Sequence, residues 1–267
     1  MSDTPPNQPD TLDIAALHAA LAGVRLGHPL IYFPTLDSTN TYAVEQARAG
    51  AAEGTLVTTD DQTAGRGRVG RAWRSLPGQQ LALSLILRPC FPPHFLVMAT
   101  SLAVAEAIEG VTGLRADIKW PNDVQVAARK VCGILIETGA DFAVVGIGVN
   151  VNGSLADDPE LATRAMTLEE ATRHPLSRET LAEEIVRALD VHYAALQAEG
   201  EPGQRALRDA WRVRLVTLGQ RVSLRQGTDA VAGLAEDVNE DGGLLLRRDD
   251  GAVQTVTWGD VEAIGQP

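Results

Sequence analysis

Only two of the chain's 23 basic residues are lysines, Lys119 and Lys130, and they stand eleven residues apart. Arginine serves wherever a planar, always-charged fork will do, so a lysine retained at two close points suggests a need for a compact, flexible ammonium. Both sit in unusual company. Lys119 opens Lys119-Trp120-Pro121-Asn122-Asp123, a turn whose amide and carboxylate oxygens can hydrogen-bond or ligate a cation. Lys130 opens the apolar run Val131-Cys132-Gly133-Ile134-Leu135-Ile136, closed by Glu137. Taken singly, each reads equally well as a hairpin end with a solvated cation. The scarcity of lysine favours chemistry.

Upstream lies Gly65-Arg66-Gly67-Arg68-Val69-Gly70-Arg71. It matches the dinucleotide fingerprint G-x-G-x-x-G, yet Ser75-Leu76-Pro77-Gly78 stops the helix that a Rossmann turn must open, and no acid follows at the required distance. What remains is three guanidinium forks on a backbone with three glycines, preceded by Gln62 and Thr63. That composition suits a mobile loop closing over a carboxylate or phosphate. A solvated basic loop is the alternative, weakened by the acidity of the rest of the chain. Asp37-Ser38-Thr39-Asn40 is a helix cap whose hydroxyls could also read a polar ligand head. Gly146-Ile147-Gly148-Val149-Asn150-Val151-Asn152 is an apolar strand whose glycines mark either a bulge or a ligand packed on backbone.

These segments need elements to position them. Helical spacing of Ile14, Leu17, Leu21 and Val24 predicts one short helix over 11–25, after a Pro-rich lead at 1–10 expected to be disordered. Strands are expected at 30–33, 55–59 and 81–87, with helices at 41–49 and 92–110. Short strands at 116–120, 123–127, 131–137 and 142–149 then pair as antiparallel hairpins. Helices follow at 177–199 and 204–212, and four alternating strands, 221–224, 230–238, 244–248 and 253–258, form a small β-barrel. The reading is an α+β fold in three parts: an N-terminal extension (1–29), a catalytic domain (30–214) and a C-terminal β domain (215–267).

Composition bounds the function. The 267 residues are 45% hydrophobic and 22% charged, values that exclude disordered, collagen-like and disulfide-scaffold classes. A net charge of −12 disfavours binding to DNA, which needs a basic footprint. Cys90 and Cys132 form no C-x-x-C, and the five histidines show no zinc spacing. The first ten residues lack the pattern of a signal peptide. A cytoplasmic protein without membrane segments is expected.

Taken in order, D-S-T-N, Q-T-A-G-R-G-R-V-G-R, K-W-P-N-D, K-V-C-G-I-L-I-E and G-I-G-V-N-V-N resemble the bacterial biotin protein ligases from Leu36 to Asn152, and more loosely through the β-rich tail. The resemblance implies a mixed or antiparallel sheet with flanking helices, like the class II aminoacyl-tRNA synthetase core, and an SH3-like C-terminal domain. It implies that biotin attacks ATP to give biotinyl-5'-AMP, whose biotinyl group passes to a lysine of the biotin carboxyl carrier protein of acetyl-CoA carboxylase. Ser38, Thr39, Asn40 and Gln62 then belong to the biotin head group, and Gly65, Arg66, Gly67 and Arg68 to the closing loop. Lys130 and Arg68 are the implied catalytic cations at the biotin carboxylate and α-phosphate. Arg66, Arg68, Arg71, Trp73, Lys119, Asn122 and Asn150 are implied at the nucleotide, Trp73 beneath adenine, and Asp123 at Mg²⁺.

Two departures from the family stand out. The N-terminus offers one helix where bifunctional members carry a winged DNA-binding domain, so a repressor role is not expected, and Val69 replaces a residue that is basic in many relatives. Lipoate and octanoate transferases share the implied core but lack the G-R-G-R-x-G-R loop. A non-catalytic biotin sensor would have no need of both lysines. Dimerisation stays open, because an exposed strand edge could pair with either the carrier or a second copy.

Overall fold

A computed structural model describes residues 11–226 and 229–263; the lead at 1–10 lies outside the described residues. Seven strands form a mixed sheet: β1 (Leu30–Leu36), β2 (Leu56–Gln62), β3 (Leu81–Leu87), β4 (Asp117–Lys119), β5 (Asp123–Val126), β6 (Arg129–Thr138) and β7 (Ala143–Val149). Their order is β1-β2-β3-β7-β6-β5-β4. Strands β1 and β2 are parallel, joined by helix α2 (Thr39–Arg48), and every other pair is antiparallel. Residues 123–149 therefore fold as the expected hairpins.

Period-two alternation separates the faces of the sheet. On β7, Ala143, Val145, Ile147 and Val149 enter the main core, while Val144 faces α2 with Ala43, Ala47, Val57 and Ile86. The main-core face is covered by α1 (Ile14–Ala20), α3 (His94–Thr112) and α6 (Arg178–Glu199). Helix α3 is long and apolar enough to cross a bilayer, but its apolar surface is buried against α6 and the sheet. Serine caps both α2, where Ser38 accepts from Thr41 N–H, and α6, where Ser177 accepts from Thr180 N–H.

After α7 (Glu201–Val213), strands β8 (Arg221–Gln226), β9 (Asp229–Val238), β10 (Leu244–Arg247), β11 (Val253–Val256) and β12 (Asp260–Ala263) form a separate antiparallel sheet ordered β11-β10-β9-β8-β12. It docks on the residue after Lys119. The Trp120 indole donates to the Gly242 carbonyl at 2.9 Å, and its backbone N–H donates to Thr217 Oγ1 at 3.0 Å.

Several boundaries differ from expectation. The strand foreseen at 123–127 ends at Val126, because Ala127 and Ala128 hold left-handed φ values of 50° and 62° and make the two-residue turn into β6. Helices α4 (Pro159–Arg164) and α5 (Leu168–Thr172), and strand β12, were not foreseen. The first two are too short for a clear period; α5 is fixed instead by a capping box between Thr167 and Glu170.

A buried ion pair joins β2 to α6. Arg178 is 1% exposed and donates to Asp60 at 2.8 Å, while Tyr32 and the Leu12 N–H donate to the same carboxylate at 2.5 and 3.2 Å. Burial, then the bond to Asp60, pushes the Tyr32 phenol up to about 12, so it stays a donor. Removing one partner leaves the other charge buried and unpaired. Arg178→Met should therefore lower stability by about 3 kcal/mol, read as a shift in the urea midpoint at constant slope.

Candidate active site

One cross-strand row organises the site. Thr59 pairs with Ala82, Ala82 with Gly148, Gly148 with Gly133, Gly133 with Asp123, and Asp123 with Lys119. Directly opposed residues share a sheet face, so both ends of the row are polar and its middle carries no side chain beyond the Ala82 methyl. Register from Leu81↔Val149 to Leu87↔Ala143 is unbroken, so the glycines of β7 make no bulge. They clear space instead. A Cβ on Gly148 would lie 2.7 Å from the Trp73 indole, and one on Gly133 would lie 3.1 Å from the same ring and 2.9 Å from Lys130 Nζ.

At the N-terminus of α2, Ser38, Thr39 and Asn40 are buried. The Thr39 N–H donates to Gln62 Oε1 at 2.9 Å, Ser84 Oγ lies 2.8 Å from Thr39 Oγ1 and 2.6 Å from Asn40 Oδ1, and Asn40 Nδ2 donates to Glu137 at 3.0 Å. Gly146 makes room for this cluster, since a Cβ there would fall 2.2 Å from Asn40 Oδ1. The apolar floor thus borders a polar pocket.

The Gly/Arg segment is a hairpin rather than an open loop. Trp73 N–H donates to Gly65 O at 2.8 Å, Gly67 N–H to Arg71 O at 2.7 Å, and Arg71 N–H to Arg68 O at 3.2 Å. Positive φ at Val69 (54°) and Gly70 (72°) is the requirement of a type I′ turn, where glycine is at ease and a β-branched side chain is not. Val69 is 66% exposed at the tip. Arg66 pairs with Glu137 at 2.6 Å and donates to Thr41 at 3.2 Å, and Arg68 donates to Asn122 Oδ1 at 2.8 Å. The hairpin lies over the sheet, pinned on both sides.

At the far end of the row Lys130 Nζ meets Asp123 at 2.7 Å and stands 5.7 Å from the centre of the Trp73 ring. Arg68 reaches Asn122, the neighbour of Asp123, so two cations converge there. Beneath them Cys132 is fully buried; burial pushes its thiol far up, with the Lys130 charge opposing, so it is no nucleophile. The whole site runs from amide and hydroxyl groups backed by the Arg66–Glu137 pair, across a flat floor, to the Lys130 and Arg68 cations beside Asp123.

A model of the Biotin/lipoate A/B protein ligase family matches residues 32–152, and one of the Biotin protein ligase C terminal domain matches residues 217–263. The bifunctional ligase/repressor BirA of Bacillus subtilis is 33% identical over 265 residues, covering 96% of this chain and 80% of that one. A biotin–acetyl-CoA-carboxylase ligase of Mycobacterium tuberculosis is 32% identical, covering 94% of this chain and 95% of that one. The chain belongs to the biotin protein ligases. Its fold agrees, since the structure of the Aquifex aeolicus biotin protein ligase in complex with biotin and ATP superposes with a TM-score of 0.77 at 30% identity, covering 88% of this chain and 98% of that one.

In this biotin protein ligase the foreseen residues do not all face the same way. Ser38, Thr39, Asn40 and Gln62 gather as one cluster, and Arg68, Asn122, Asp123 and Lys130 as another. Trp73 lies on the glycine floor between them, its Nε1 donating to Gln80 at 3.2 Å. Lys119 stands opposite Asp123 at the end of the row. Gly65 is buried at the base of the hairpin and Arg71 is exposed near its tip. Two further residues are held by protein partners. The Arg66 guanidinium is taken by Glu137 and Thr41, and both ends of the Asn150 amide are engaged, by Gln80 at 3.2 Å and Met166 O at 3.3 Å.

Sequence reasoning gave no role to Gln80, Ser84 or Glu137. Glu137 carried a signal, being the acid that closes an apolar strand; the other two carried none. For metal, among the described residues no group of three His, Cys, Asp or Glu side chains comes together, and Asp123 already holds Lys130. This donor set does not fit a resident metal ion.

Two substitutions test the geometry. Gly148→Ala should push Trp73 off the floor, shifting its fluorescence maximum and weakening binding at the site about tenfold, with little change in overall stability. Val69→Asn relieves the turn. It should slow tryptic cleavage after Arg66, Arg68 and Arg71 severalfold, since asparagine accepts left-handed φ at a cost about 1 kcal/mol lower.

Proposed function

We propose that the chain attaches biotin to the ε-amine of a lysine on a carrier protein at the expense of ATP. The biotin carboxylate attacks the α-phosphorus, forming biotinyl-5'-AMP and releasing pyrophosphate. The carrier amine then attacks the acyl carbon, AMP leaves, and the amine proton is lost. The observation that carries this reading is the polarity gradient of the site: polar pocket, flat apolar floor, converging cations. It matches a ureido ring, an aliphatic tail and a carboxylate in that order.

Each residue has a role in this reading. Ser38, Thr39, Asn40 and Gln62 serve the ureido head, and Gly65, Arg66 and Gly67 carry the hairpin that closes over it. Lys130 leaves Asp123 for the biotin carboxylate and α-phosphate, and Arg68 leaves Asn122 for the same anions, so both cations act where charge develops. Lys119, Asn122, Arg71, Trp73 and Asn150 belong to the nucleotide side, Asn150 by bracing Gln80 beneath Trp73. Magnesium bound to ATP would offset phosphate charge, and Asp123, once released by Lys130, is the carboxylate that would approach it.

The name of the Mycobacterium tuberculosis relative supports the biotin carboxyl carrier protein of acetyl-CoA carboxylase as acceptor. The net charge of −12 and the two free thiols support a cytoplasmic enzyme without a DNA or membrane partner. We divide the chain into an extension (1–29), a catalytic domain (30–214) of class II synthetase type and an SH3-like domain (215–267). Strand β1, at the edge of the sheet order, is the surface on which a carrier strand or a second copy would pair.

Exchange of labelled pyrophosphate into ATP tests adenylation without the carrier. Biotin should support exchange where lipoate and octanoate do not. Lys130→Ala should slow it by about a hundredfold, some 3 kcal/mol, and an unchanged rate would remove Lys130 from the chemistry.

A further inference from the structure

Glu137 touches two things at once. Its Oε1 accepts from Arg66 of the hairpin at 2.6 Å, and its Oε2 accepts from Asn40 Nδ2 at 3.0 Å. A carboxylate paired with a guanidinium can only accept, and so can the Leu135 carbonyl 3.4 Å from the same amide nitrogen. The Asn40 amide therefore cannot turn over, and its Oδ1 must face Ser84 Oγ at 2.6 Å.

The consequence runs along the cluster. Asn40 Oδ1 cannot donate, so it takes the single Ser84 proton, leaving Ser84 with lone pairs toward Thr39 Oγ1 at 2.8 Å. The neighbours of Thr39 Oγ1 are then Ser84 Oγ and Gln62 Oε1, both acceptors, and whichever receives the Thr39 proton, that proton is used inside the protein. Thr39 can offer a ligand only lone pairs. Gln62 has its Oε1 fixed by the Thr39 N–H at 2.9 Å, so it offers its Nε2 donors. Ser38 Oγ accepts from Thr41 N–H and keeps its own proton to give. The pocket thus presents an acceptor beside donors, the complement of a ring with N–H beside C=O.

We propose that Glu137 is a positioning residue that fixes the donor and acceptor sense of the head-group pocket, and that Arg66 ties this setting to the hairpin. The inference rests on the proposed function, in which that ring is the ureido ring of biotin. Truncation of a distant support alone would not invert or erase a preference for hydrogen-bond sense.

The test uses the full chain, pyrophosphate exchange, and two ligands, biotin and its cyclic carbamate, in which an oxygen, an acceptor only, replaces a ring N–H of the kind that Thr39 receives. In Glu137→Gln the new amide accepts or donates, so Asn40 loses its fixed orientation. The KM for biotin should rise about tenfold, the KM for ATP should stay within about twofold, and the preference for biotin over the carbamate should fall about tenfold. Ser84→Ala, which breaks the relay without touching the hairpin, should lose the same preference, and it stands in if Glu137→Gln fails to fold. Folded variants that keep the wild-type KM and preference would overturn the proposal. Absence of biotin-dependent exchange in the wild type would overturn the functional reading, and this inference with it.

Discussion

The site depends on one geometric constraint: three adjacent strands, β3, β7 and β6, must hold continuous register while presenting almost no side chain along one row. Backbone in a paired sheet is already hydrogen-bonded, so a flat ring laid on it leaves no polar group stranded. Ala82, Gly148 and Gly133 provide that surface, and Gly146 beside them leaves room for Asn40. A Cβ on Gly148 or Gly133 would lift Trp73 and with it the hairpin base, because the Trp73 N–H is bound to Gly65 O. Floor, indole and hairpin form one stack.

The charges around this stack are poised rather than locked. Arg66, Arg68 and Lys130 each have a protein partner, yet the Arg66–Glu137 and Lys130–Asp123 pairs are partly exposed, and such pairs contribute little net stability. An anion entering the site can therefore replace Asp123 or Asn122 at modest cost while gaining a charge-assisted bond. The Asp60–Arg178 pair is the opposite case. Fully buried and held by Tyr32 and the Leu12 N–H, it fixes the end of β2 against α6 and reaches the Gln80 carbonyl at 3.3 Å. The side chain of Gln80 in turn braces Trp73 and Asn150. Rigid support lies beneath the floor and partly exposed pairing above it.

Much of this was legible in the residues. Ser38 and Ser177 announced their helices because capping is a local interaction, decided within one turn. The glycines of β7 offered a bulge or a close approach to backbone, and unbroken register with Trp73 against Gly148 selects the second. The hairpin was read as a mobile loop because its ladder bonds join residues whose strand character is weak, and the Val69 turn breaks the usual residue preference. Helices α4 and α5 escaped because six and five residues are too few to show a period.

The sequence by itself determined most of the longer elements and which family the chain resembles, since propensity, capping and motif spacing act over a few residues. Tertiary structure alone decided partnership. That Glu137 meets both Arg66 and Asn40, that Asn150 braces Gln80, and that Asp123 holds Lys130 depend on strand order and on which side chains share a sheet face. Arg178 and Asp60 lie 118 residues apart, and nothing local marks either as the other's counter-charge. Residues so far separated become neighbours only when α6 packs on the sheet, because a buried charge is stable only beside its partner and the fold determines where that partner stands.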